Sequence, residues 1–164
     1  MMLPKLLPDV DRVIYADADT IFCNDLAEAA MIDLGNNLIA GVREHNLHYI
    51  NSGFMIMDLK KIRSEKIYEK WIQAAETKAY KYPDQDIINN VCKGRIMFLP
   101  PKYNFTMWTG FNTGDKAAYP DRDFSDLKYH TVVIHWAGGK KPWKDERPPF
   151  SDIWWHYARQ TGLF

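Results

Sequence analysis

Two aspartates separated by one residue stand directly after a short apolar run near the start of the chain. The run covers residues 13–16, and Asp17 and Asp19 follow it. Because side chains two residues apart in an extended chain point the same way, these carboxylates are expected to share one site. Two ionised carboxylates at the end of a buried strand repel each other unless a proton or a cation lies between them. The spacing therefore favours a hard divalent cation, and the alternative is that Asp19 or Asn24 only caps the turn into residues 25–30.

A histidine follows a second apolar run much further along the chain. His135 comes after residues 132–134 in the same way that Asp17 comes after residues 13–16. If the two strands are near neighbours in a parallel sheet, their ends meet and the imidazole joins the two carboxylates. Such a donor set suits Mn2+ or Mg2+ better than structural zinc, and the nitrogen ligand favours Mn2+. The alternative is a partly buried histidine that is hydrogen-bonded to a carbonyl.

A loop rich in glycine and lysine follows this histidine. It covers residues 137–143 and contains Gly138, Gly139, Lys140 and Lys141. Glycines let backbone N–H groups approach an anion closely, and an adjacent lysine supplies the countercharge that a phosphate requires. The loop is therefore predicted to bind a diphosphate beside the metal site, and the alternative is an exposed surface turn.

Two polar clusters interrupt otherwise apolar surroundings. Asn51 stands at the opening of an apolar strand, and its amide can bond sugar hydroxyls through both its oxygen and its nitrogen. Asp84 and Gln85 begin a helix after Pro83, where a carboxylate is favourable beside the free N–H groups and Asp84 is the expected N-cap. Gln85 is expected neither to cap this helix well nor to pack. The alternatives are an ordinary turn into the strand at Asn51 and a purely structural cap at Asp84.

Apolar runs that alternate with helical patterns must position these side chains. Such alternation predicts an α/β fold with a mostly parallel sheet flanked by helices. Strands are predicted at residues 13–16, 38–42, 53–57, 95–99 and 131–134. Helices are predicted at residues 64–78 and after Pro83, and residues 100–128 are predicted to be irregular. The run at 13–16 lacks polar alternation, so it is predicted to be a central strand buried on both faces.

Length and composition narrow the class of protein. The sequence has 164 residues, enough for one compact domain, and 46% of them are hydrophobic. Lys+Arg and Asp+Glu each number 21, so no general attraction to nucleic acid or to an anionic membrane is expected. Two cysteines are too few for a disulfide scaffold, and residues 1–8 resemble neither a signal peptide nor a membrane span. These features predict a cytoplasmic protein.

Four motifs in order along the chain resemble those of the bacterial branch of glycosyltransferase family 8. They are Ile-Tyr-Ala-Asp-Ala-Asp-Thr at 14–20, Asn-Ser-Gly at 51–53, Asp-Gln-Asp-Ile-Ile-Asn at 84–89 and His-Trp-Ala-Gly-Gly-Lys-Lys-Pro-Trp at 135–143. The aromatic segment at 151–159 is similar to the C-terminal segment of the family. The resemblance implies a GT-A fold, with residues 1–164 forming a single partial domain. It also implies a retaining enzyme that moves a hexose from a UDP-sugar to an acceptor hydroxyl of lipopolysaccharide or another cell-surface glycan or glycolipid, at the inner face of the membrane.

The resemblance also implies roles for individual residues. The implied ligands of Mn2+, with Mg2+ as the alternative ion, are Asp17, Asp19 and His135. The residues implied to bind the donor are Ala18, Asn51, Ser52, Asp84, Gln85, Gly138 and Lys141, of which the last two contact its diphosphate. Gln85 would lie near the anomeric carbon, and Gln85 and Asp84 are the candidate catalytic residues. Because a glutamine is a poor nucleophile, double displacement and a front-face route assisted by the leaving phosphate both stay open.

One departure from the family pattern concerns the start of the chain. Family members carry a nucleotide-binding portion ahead of the Asp-x-Asp strand, whereas this sequence starts almost at that strand. We therefore expect an N-terminally truncated domain whose uncovered sheet edge promotes self-association.

Two other classes of protein are alternatives to a glycosyltransferase. A haloacid-dehalogenase-like phosphatase would use Asp17 as nucleophile and Asp19 as acid/base with Mg2+, and Asp84 and Asp86 would imitate its later acidic pair. A non-catalytic remnant of a glycosyltransferase would retain the fold and weak metal binding.

Overall fold

Helices and strands alternate along the part of the chain that the computed structural model describes, residues 1–44, 48–106, 130–144 and 148–163. The helices are α1 (Leu3–Leu6), α2 (Ala27–Met31), α3 (Leu59–Ser64), α4 (Ile67–Thr77), α5 (Pro83–Val91) and α6 (Ser151–Gln160), with a 3-10 turn at Pro101–Tyr103. The strands are β1 (Arg12–Ala16), β2 (Thr20–Phe22), β3 (Ile39–Arg43), β4 (Ile50–Asp58), β5 (Ile96–Leu99), β6 (Phe105–Thr106) and β7 (Val133–His135). None of the described helices has both the length and the apolar character that crossing a bilayer requires.

The described strands form two sheets, and most of their pairings are antiparallel. The strand order is β1-β4-β3-β5 in the first sheet and β2-β7-β6 in the second. β4 pairs antiparallel with β1 and β3, and β2 pairs antiparallel with β7, whereas β3/β5 and β6/β7 are parallel. The predicted α/β class is confirmed, but the prediction of a mostly parallel sheet is wrong for the described residues. An unbroken apolar run indicates burial on both faces, and an antiparallel strand between two cores satisfies that condition equally well.

Strand β4 lies inside the larger sheet and contributes to a core on each face. Met55 and Met57 pack on one face in a cluster that includes Trp71 of α4, whereas Phe54 and Ile56 pack in the cluster on the other. This alternation is the two-residue period of a strand. Fully burying one such side chain contributes roughly 1.5–3 kcal/mol, so the two cores together hold β4 and the polar residues at its start firmly in place.

Strand β1 is less buried than its sequence predicts. All five of its residues are only half-buried, so the prediction of a central strand buried on both faces is wrong. β1 lies at the end of its sheet and, among the described strands, pairs with β4 alone. A strand with one neighbour leaves its other side open, which explains the partial exposure of an apolar run.

Caps and backbone geometry set the starts of α3 and α4. Asp58 caps α3, because its Oδ1 accepts a hydrogen bond of 2.8 Å from the N–H of Lys61. The helix predicted at 64–78 corresponds to α4, which begins at Ile67 after Lys66 adopts a left-handed φ of 53°. That change of direction separates α4 from the short helix α3, which the sequence pattern does not predict.

Two short strands are not predicted from the sequence. β2 and β6 have three and two residues, too few to show an alternating pattern. Within the stretch predicted to be irregular, residues 101–106 contain the 3-10 turn and β6, and residues 107–128 lie outside the described residues.

Candidate active site

The two aspartates lie at the turn that joins β1 to β2. The N–H of Asp17 donates to the Gly53 carbonyl (2.9 Å), which continues the pairing of β1 with β4, and Thr20 Oγ1 donates to the Asp17 carbonyl (2.8 Å). These bonds hold both ends of the turn that contains Ala18 and Asp19. Ala18 is exposed, whereas Asp17 and Asp19 are half-buried. The backbone therefore brings the two carboxylates to one site, as the spacing predicts.

His135 reaches these carboxylates through the second sheet. The antiparallel pairing of β2 with β7 places His135 opposite Thr20, and the N–H of Trp136 donates to the Asp19 carbonyl (3.1 Å). The imidazole Nε2 lies 3.2 Å from Asp19 Oδ1 and 3.7 Å from Asp17 Oδ2. The predicted meeting of the three side chains is confirmed. The predicted route through neighbouring parallel strands is wrong, because an antiparallel pair in a separate sheet makes the connection.

The ring of His135 packs directly on the backbone of Gly53. A Cβ atom at Gly53 would lie only 2.1 Å from Cε1 and 2.5 Å from Nδ1 of the imidazole. The histidine is 3% exposed, so the ring has little freedom to move away. Glycine is therefore required here for close approach, which explains the last residue of the Asn-Ser-Gly motif.

Positive and polar neighbours keep Asp19 ionised. Burial alone would raise the pKa of Asp19, but hydrogen bonds and charge from His135 and Lys141 outweigh it and hold that pKa well below its usual range. The Lys141 ammonium contacts Asp19 Oδ2 and also donates to the Trp136 carbonyl at 2.7 Å. Lys141 thus supplies positive charge at Oδ2 of Asp19, whereas the imidazole contacts Oδ1.

Asp17, Asp19 and His135 form a donor set that fits a divalent cation. One ligand atom from each residue lies within 4.8 Å of the others. Tyr15 donates from its hydroxyl to Asp17 Oδ1 at 2.7 Å and so orients that carboxylate. Burial and the bond to Asp17 raise the pKa of Tyr15 to about 12, so its hydroxyl remains a donor. Two carboxylates and one imidazole are ligands that Mn2+ and Mg2+ both accept.

A cavity of about 680 Å³ opens beside this group, within the range of about 300–1,000 Å³ that is typical of small-molecule sites. Its lining residues are Asp17, Asp19, Glu44, Asn51, Ser52, Lys81, Tyr82, Pro83, Asp84, Gln85, His135, Ala137 and Gly138. Most of the predicted site residues are among them. Ala18 and Lys141 are not, so their predicted contacts with a donor stay predictions.

The start of α5 lies directly beside the start of β4, and residues of both line this cavity. The helix begins at Pro83 with Tyr82 as N-cap, so the prediction that Asp84 is the N-cap is wrong. Proline suits the first helical position because it lacks an N–H and has a fixed φ. Asp84 Oδ2 instead accepts a bond from Ser52 Oγ (3.1 Å), and Gln85 Oε1 accepts one from the Ser52 N–H (3.0 Å).

The carboxamide of Gln85 is held in a single orientation. Its Nε2 donates to Glu44 Oε2 (2.6 Å) and to the Tyr49 hydroxyl (3.3 Å), and that hydroxyl donates to Asp86 Oδ1 (2.5 Å). Gln85 is buried, so the expectation that it does not pack is wrong. With Ser52 bound to Oε1 and both Nε2 protons engaged, one lone pair of Oε1 is left for a ligand.

Asn51 is also partly committed to internal bonds. Its Oδ1 accepts from the Gly53 N–H (2.9 Å) and from Asn104 Nδ2 (2.8 Å). Both lone pairs of Oδ1 are therefore engaged within the protein, and Nδ2 is the half left to donate, so the contact of Asn51 with a sugar stays a prediction. Asn104 is fully buried and contacts Nδ1 of His135 at 2.9 Å.

The loop after His135 lies beside the acidic group, as predicted. Gly138 has a φ of 85°, which favours glycine, and it lines the cavity. Its contact with a diphosphate stays a prediction.

Sequence reasoning does not single out Glu44, Tyr49 and Asn104, although all three contact site residues. Glu44 follows the apolar strand β3 as Asp17 follows β1, and this shared position is the signal that could have found it. Asn104 lies in a stretch without periodic pattern, so nothing in the sequence marks it.

Comparison with known proteins identifies the family of this chain. The profile of Glycosyl transferase family 8 matches residues 1–147. The chain is 31% identical over 156 residues to the lipopolysaccharide 1,2-glucosyltransferase of Escherichia coli strain K12, covering 82% of this chain and 44% of that protein. It is 28% identical over 155 residues to the glycosyltransferase GlyE of Streptococcus pneumoniae, covering 90% and 37%. The chain thus spans less than half the length of these two relatives.

Solved structures show the same fold. The crystal structure of GlyE has a TM-score of 0.80 at 28% identity and covers 96% of this chain and 42% of GlyE. The galactosyltransferase LgtC, solved with donor and acceptor sugar analogs, has a TM-score of 0.78 at 24% identity and covers 97% of this chain and 64% of LgtC. The fold is therefore that of the GT-A glycosyltransferases, which confirms the predicted fold. The chain belongs to glycosyltransferase family 8.

Proposed function

We propose that this chain forms part of a retaining hexosyltransferase that takes its sugar from a UDP-sugar. The observation that carries the proposal is the convergence of Asp17, Asp19 and His135 on a cavity whose lining also includes Asp84 and Gln85. The proposed acceptor is a hydroxyl of lipopolysaccharide or another cell-surface glycan, and the proposed location is the cytoplasmic face of the membrane. The similarity to a lipopolysaccharide glucosyltransferase supports that acceptor class.

On the diphosphate side, the chain supplies ligands and positive charge. Asp17, Asp19 and His135 would hold Mn2+ or Mg2+, which when bound acts as a Lewis acid for the leaving diphosphate. Lys141, whose ammonium group lies next to Asp19, would stabilise the negative charge that the leaving diphosphate gains. Gly138 lets its backbone approach a phosphate oxygen without a side chain in the way.

On the sugar side, the chain supplies one donor and two acceptors. Asn51 donates through Nδ2 to a sugar oxygen, and Asp84 accepts from a sugar hydroxyl. Gln85 presents the free lone pair of Oε1 and stabilises the positive charge that develops at the anomeric carbon. Because an amide oxygen held by Ser52 is a poor nucleophile, this arrangement supports a front-face route, in which the leaving phosphate accepts the proton of the acceptor hydroxyl.

The family of the chain and the position of Asp86 both argue against a phosphatase of the haloacid-dehalogenase class. Such an enzyme requires a further acidic pair at the metal, which Asp84 and Asp86 would have to provide. Asp86 instead accepts bonds from the Tyr49 hydroxyl and the Tyr82 N–H, and it does not line the cavity.

The proposal is tested by measuring UDP release from UDP-glucose and UDP-galactose with Mn2+. Wild-type protein is expected to hydrolyse one of them slowly, and Asp19→Asn to lose at least about 100-fold of that rate, because it removes a charged metal ligand. Asp33→Asn, which changes an exposed aspartate outside the cavity, is the matched control and keeps the wild-type rate. Release of phosphate from p-nitrophenyl phosphate would instead indicate a phosphatase. Metal binding with no nucleotide-dependent heat in calorimetry would indicate a non-catalytic remnant.

A further inference from the structure

Asn104 links the metal-ligand group to the sugar side of the cavity. It follows the 3-10 turn Pro101–Tyr103 and is 0% exposed. Its Nδ2 donates to Asn51 Oδ1 (2.8 Å), and its Oδ1 lies 2.9 Å from His135 Nδ1. A buried carboxamide that spans two site residues makes both of its bonds to functional groups.

The Gly53 N–H fixes which group donates and which accepts in each hydrogen bond of the series that runs through Asn51 and Asn104 to His135. The Gly53 backbone N–H can only donate, so the atom of Asn51 that it contacts at 2.9 Å must be the oxygen. That oxygen also faces Asn104, which must therefore present its NH2 group there. The opposite atom of the Asn104 amide is then the oxygen, and it requires a hydrogen on His135 Nδ1.

This requirement decides which nitrogen of His135 serves as ligand. With the proton of the neutral ring on Nδ1, the lone pair lies on Nε2. Nε2 is the atom that faces Asp19 Oδ1 at 3.2 Å and Asp17 Oδ2 at 3.7 Å. A proton held on Nδ1 therefore leaves Nε2, the nitrogen that faces the two carboxylates, as the atom available to a cation bound between them.

We propose that Asn104 is a positioning residue that fixes the tautomer and ring orientation of His135 for metal binding and couples this ligand to Asn51. The proposal rests on the metal site of the proposed function. Asn104 also orients Asn51, because Oδ1 of Asn51 can accept from Asn104 only while Nδ2 of Asn51 is turned away from Asn104. One buried amide therefore sets both the ligand nitrogen at the metal and the donor group available to the sugar.

The first test reads the tautomer directly and involves neither metal nor substrate. Long-range 1H–15N correlation spectra of 15N-histidine-labelled protein are expected to show a proton on Nδ1 of His135. In Asn104→Leu, which removes the acceptor, the signal is expected to move towards the Nε2-protonated form. Wild-type protein with no proton on Nδ1 of His135 would overturn the proposal, whatever its activity.

The second test measures Mn2+ affinity by calorimetry. Asn104→Leu is expected to weaken Mn2+ binding by about 10–100-fold, the usual effect of losing the hydrogen-bond partner of a metal ligand. Asn89→Leu is the matched control, since Asn89 is a buried asparagine with three hydrogen bonds to Ile50 and Gln85 and none to His135. It is expected to lose stability but to keep the tautomer and the Mn2+ affinity. Equal Mn2+ affinities of Asn104→Leu and wild type, with both proteins folded, would overturn the proposal.

Asn104→Asp separates the two links. A carboxylate still accepts from His135 Nδ1–H but cannot donate to Asn51 Oδ1. This variant is expected to keep the tautomer and bind Mn2+ at least as tightly as wild type, while its affinity for a UDP-sugar falls several-fold. Loss of the tautomer in this variant would contradict the assigned role. If UDP-sugar turnover fails in every protein while the tautomer and Mn2+ results hold, the proposed function fails and the role of Asn104 stands.

Discussion

Replacing Gly53 by alanine tests how tightly the cation site is packed. The added Cβ would lie 2.1 Å from His135 Cε1, whereas ordinary van der Waals contact begins near 3.4 Å. The ring or the strand must therefore shift by about 1.3 Å, the difference between these two distances. Metal–ligand distances tolerate only about 0.2 Å, so a shift of this size removes Nε2 from the donor set.

We expect Gly53→Ala to weaken Mn2+ binding more than about 10-fold and to lower the free energy of unfolding by about 1–3 kcal/mol. Calorimetry measures the first effect and urea denaturation the second. Gly139→Ala is the matched control, because no atom lies within 4 Å of the Cβ that it would add. The control is expected to bind Mn2+ as the wild type does.

A double-mutant cycle identifies the ring as the cause of the expected loss. His135→Ala removes the imidazole, so adding Gly53→Ala to it is expected to cost less stability than Gly53→Ala costs alone, by about 1–2 kcal/mol. Normal Mn2+ binding by Gly53→Ala, or an equal stability cost with and without the imidazole, would show that the His135 ring does not pack tightly on Gly53.

Three further predictions concern charges and the sheet edge. Lys141→Met is expected to strengthen Mn2+ binding without nucleotide by about fivefold, because it removes an ammonium group whose interaction with Asp19 contributes about 1 kcal/mol. The same variant is expected to weaken UDP binding with Mn2+ present. Weaker Mn2+ binding in calorimetry would contradict this prediction. Asp58→Ala is expected to cost about 1 kcal/mol at pH 7, because it removes the cap of α3. Burial raises the pKa of Asp58, but hydrogen bonds and charge from Lys61 outweigh it and lower that pKa. The carboxylate therefore stabilises the fold above the unfolded carboxyl pKa of 3.8, and this stabilisation is lost as pH falls through the lower folded pKa. Urea denaturation should show a smaller stability difference between wild type and Asp58→Ala at pH 3 than at pH 7, and an equal difference would exclude the charge effect. The 164-residue chain is expected to self-associate, because β1 (Arg12–Ala16) pairs with one strand only in the described chain, and a monodisperse monomer in sedimentation would contradict this.

The parts of the site that were predictable from the sequence depend on short, regular geometry. The period of two along an extended chain brings Asp17 and Asp19 together without any knowledge of the fold. The pairing of His135 with them required the β2/β7 contact, and β2 has only three residues, too few to mark a strand. The conclusion was therefore right while the predicted route to it was wrong.

Side-chain networks were less predictable than backbone positions. The roles of Asn104 and Glu44 depend on contacts with residues 31 or more positions away, and a single sequence does not encode such pairings in any periodic pattern. Gln85 was expected not to pack because a helix start is normally exposed. The structure buries it because β4 passes directly beside α5, where the Ser52 N–H meets its oxygen.

The measurement that tests this account most directly is an anomalous-difference map from crystals of the chain grown with Mn2+ and UDP. We expect one manganese peak at coordination distance from a carboxylate oxygen of Asp17, one of Asp19 and Nε2 of His135, with the UDP phosphates on its open side. A map with no manganese peak among these three side chains, in crystals that hold UDP in the cavity, would contradict the account.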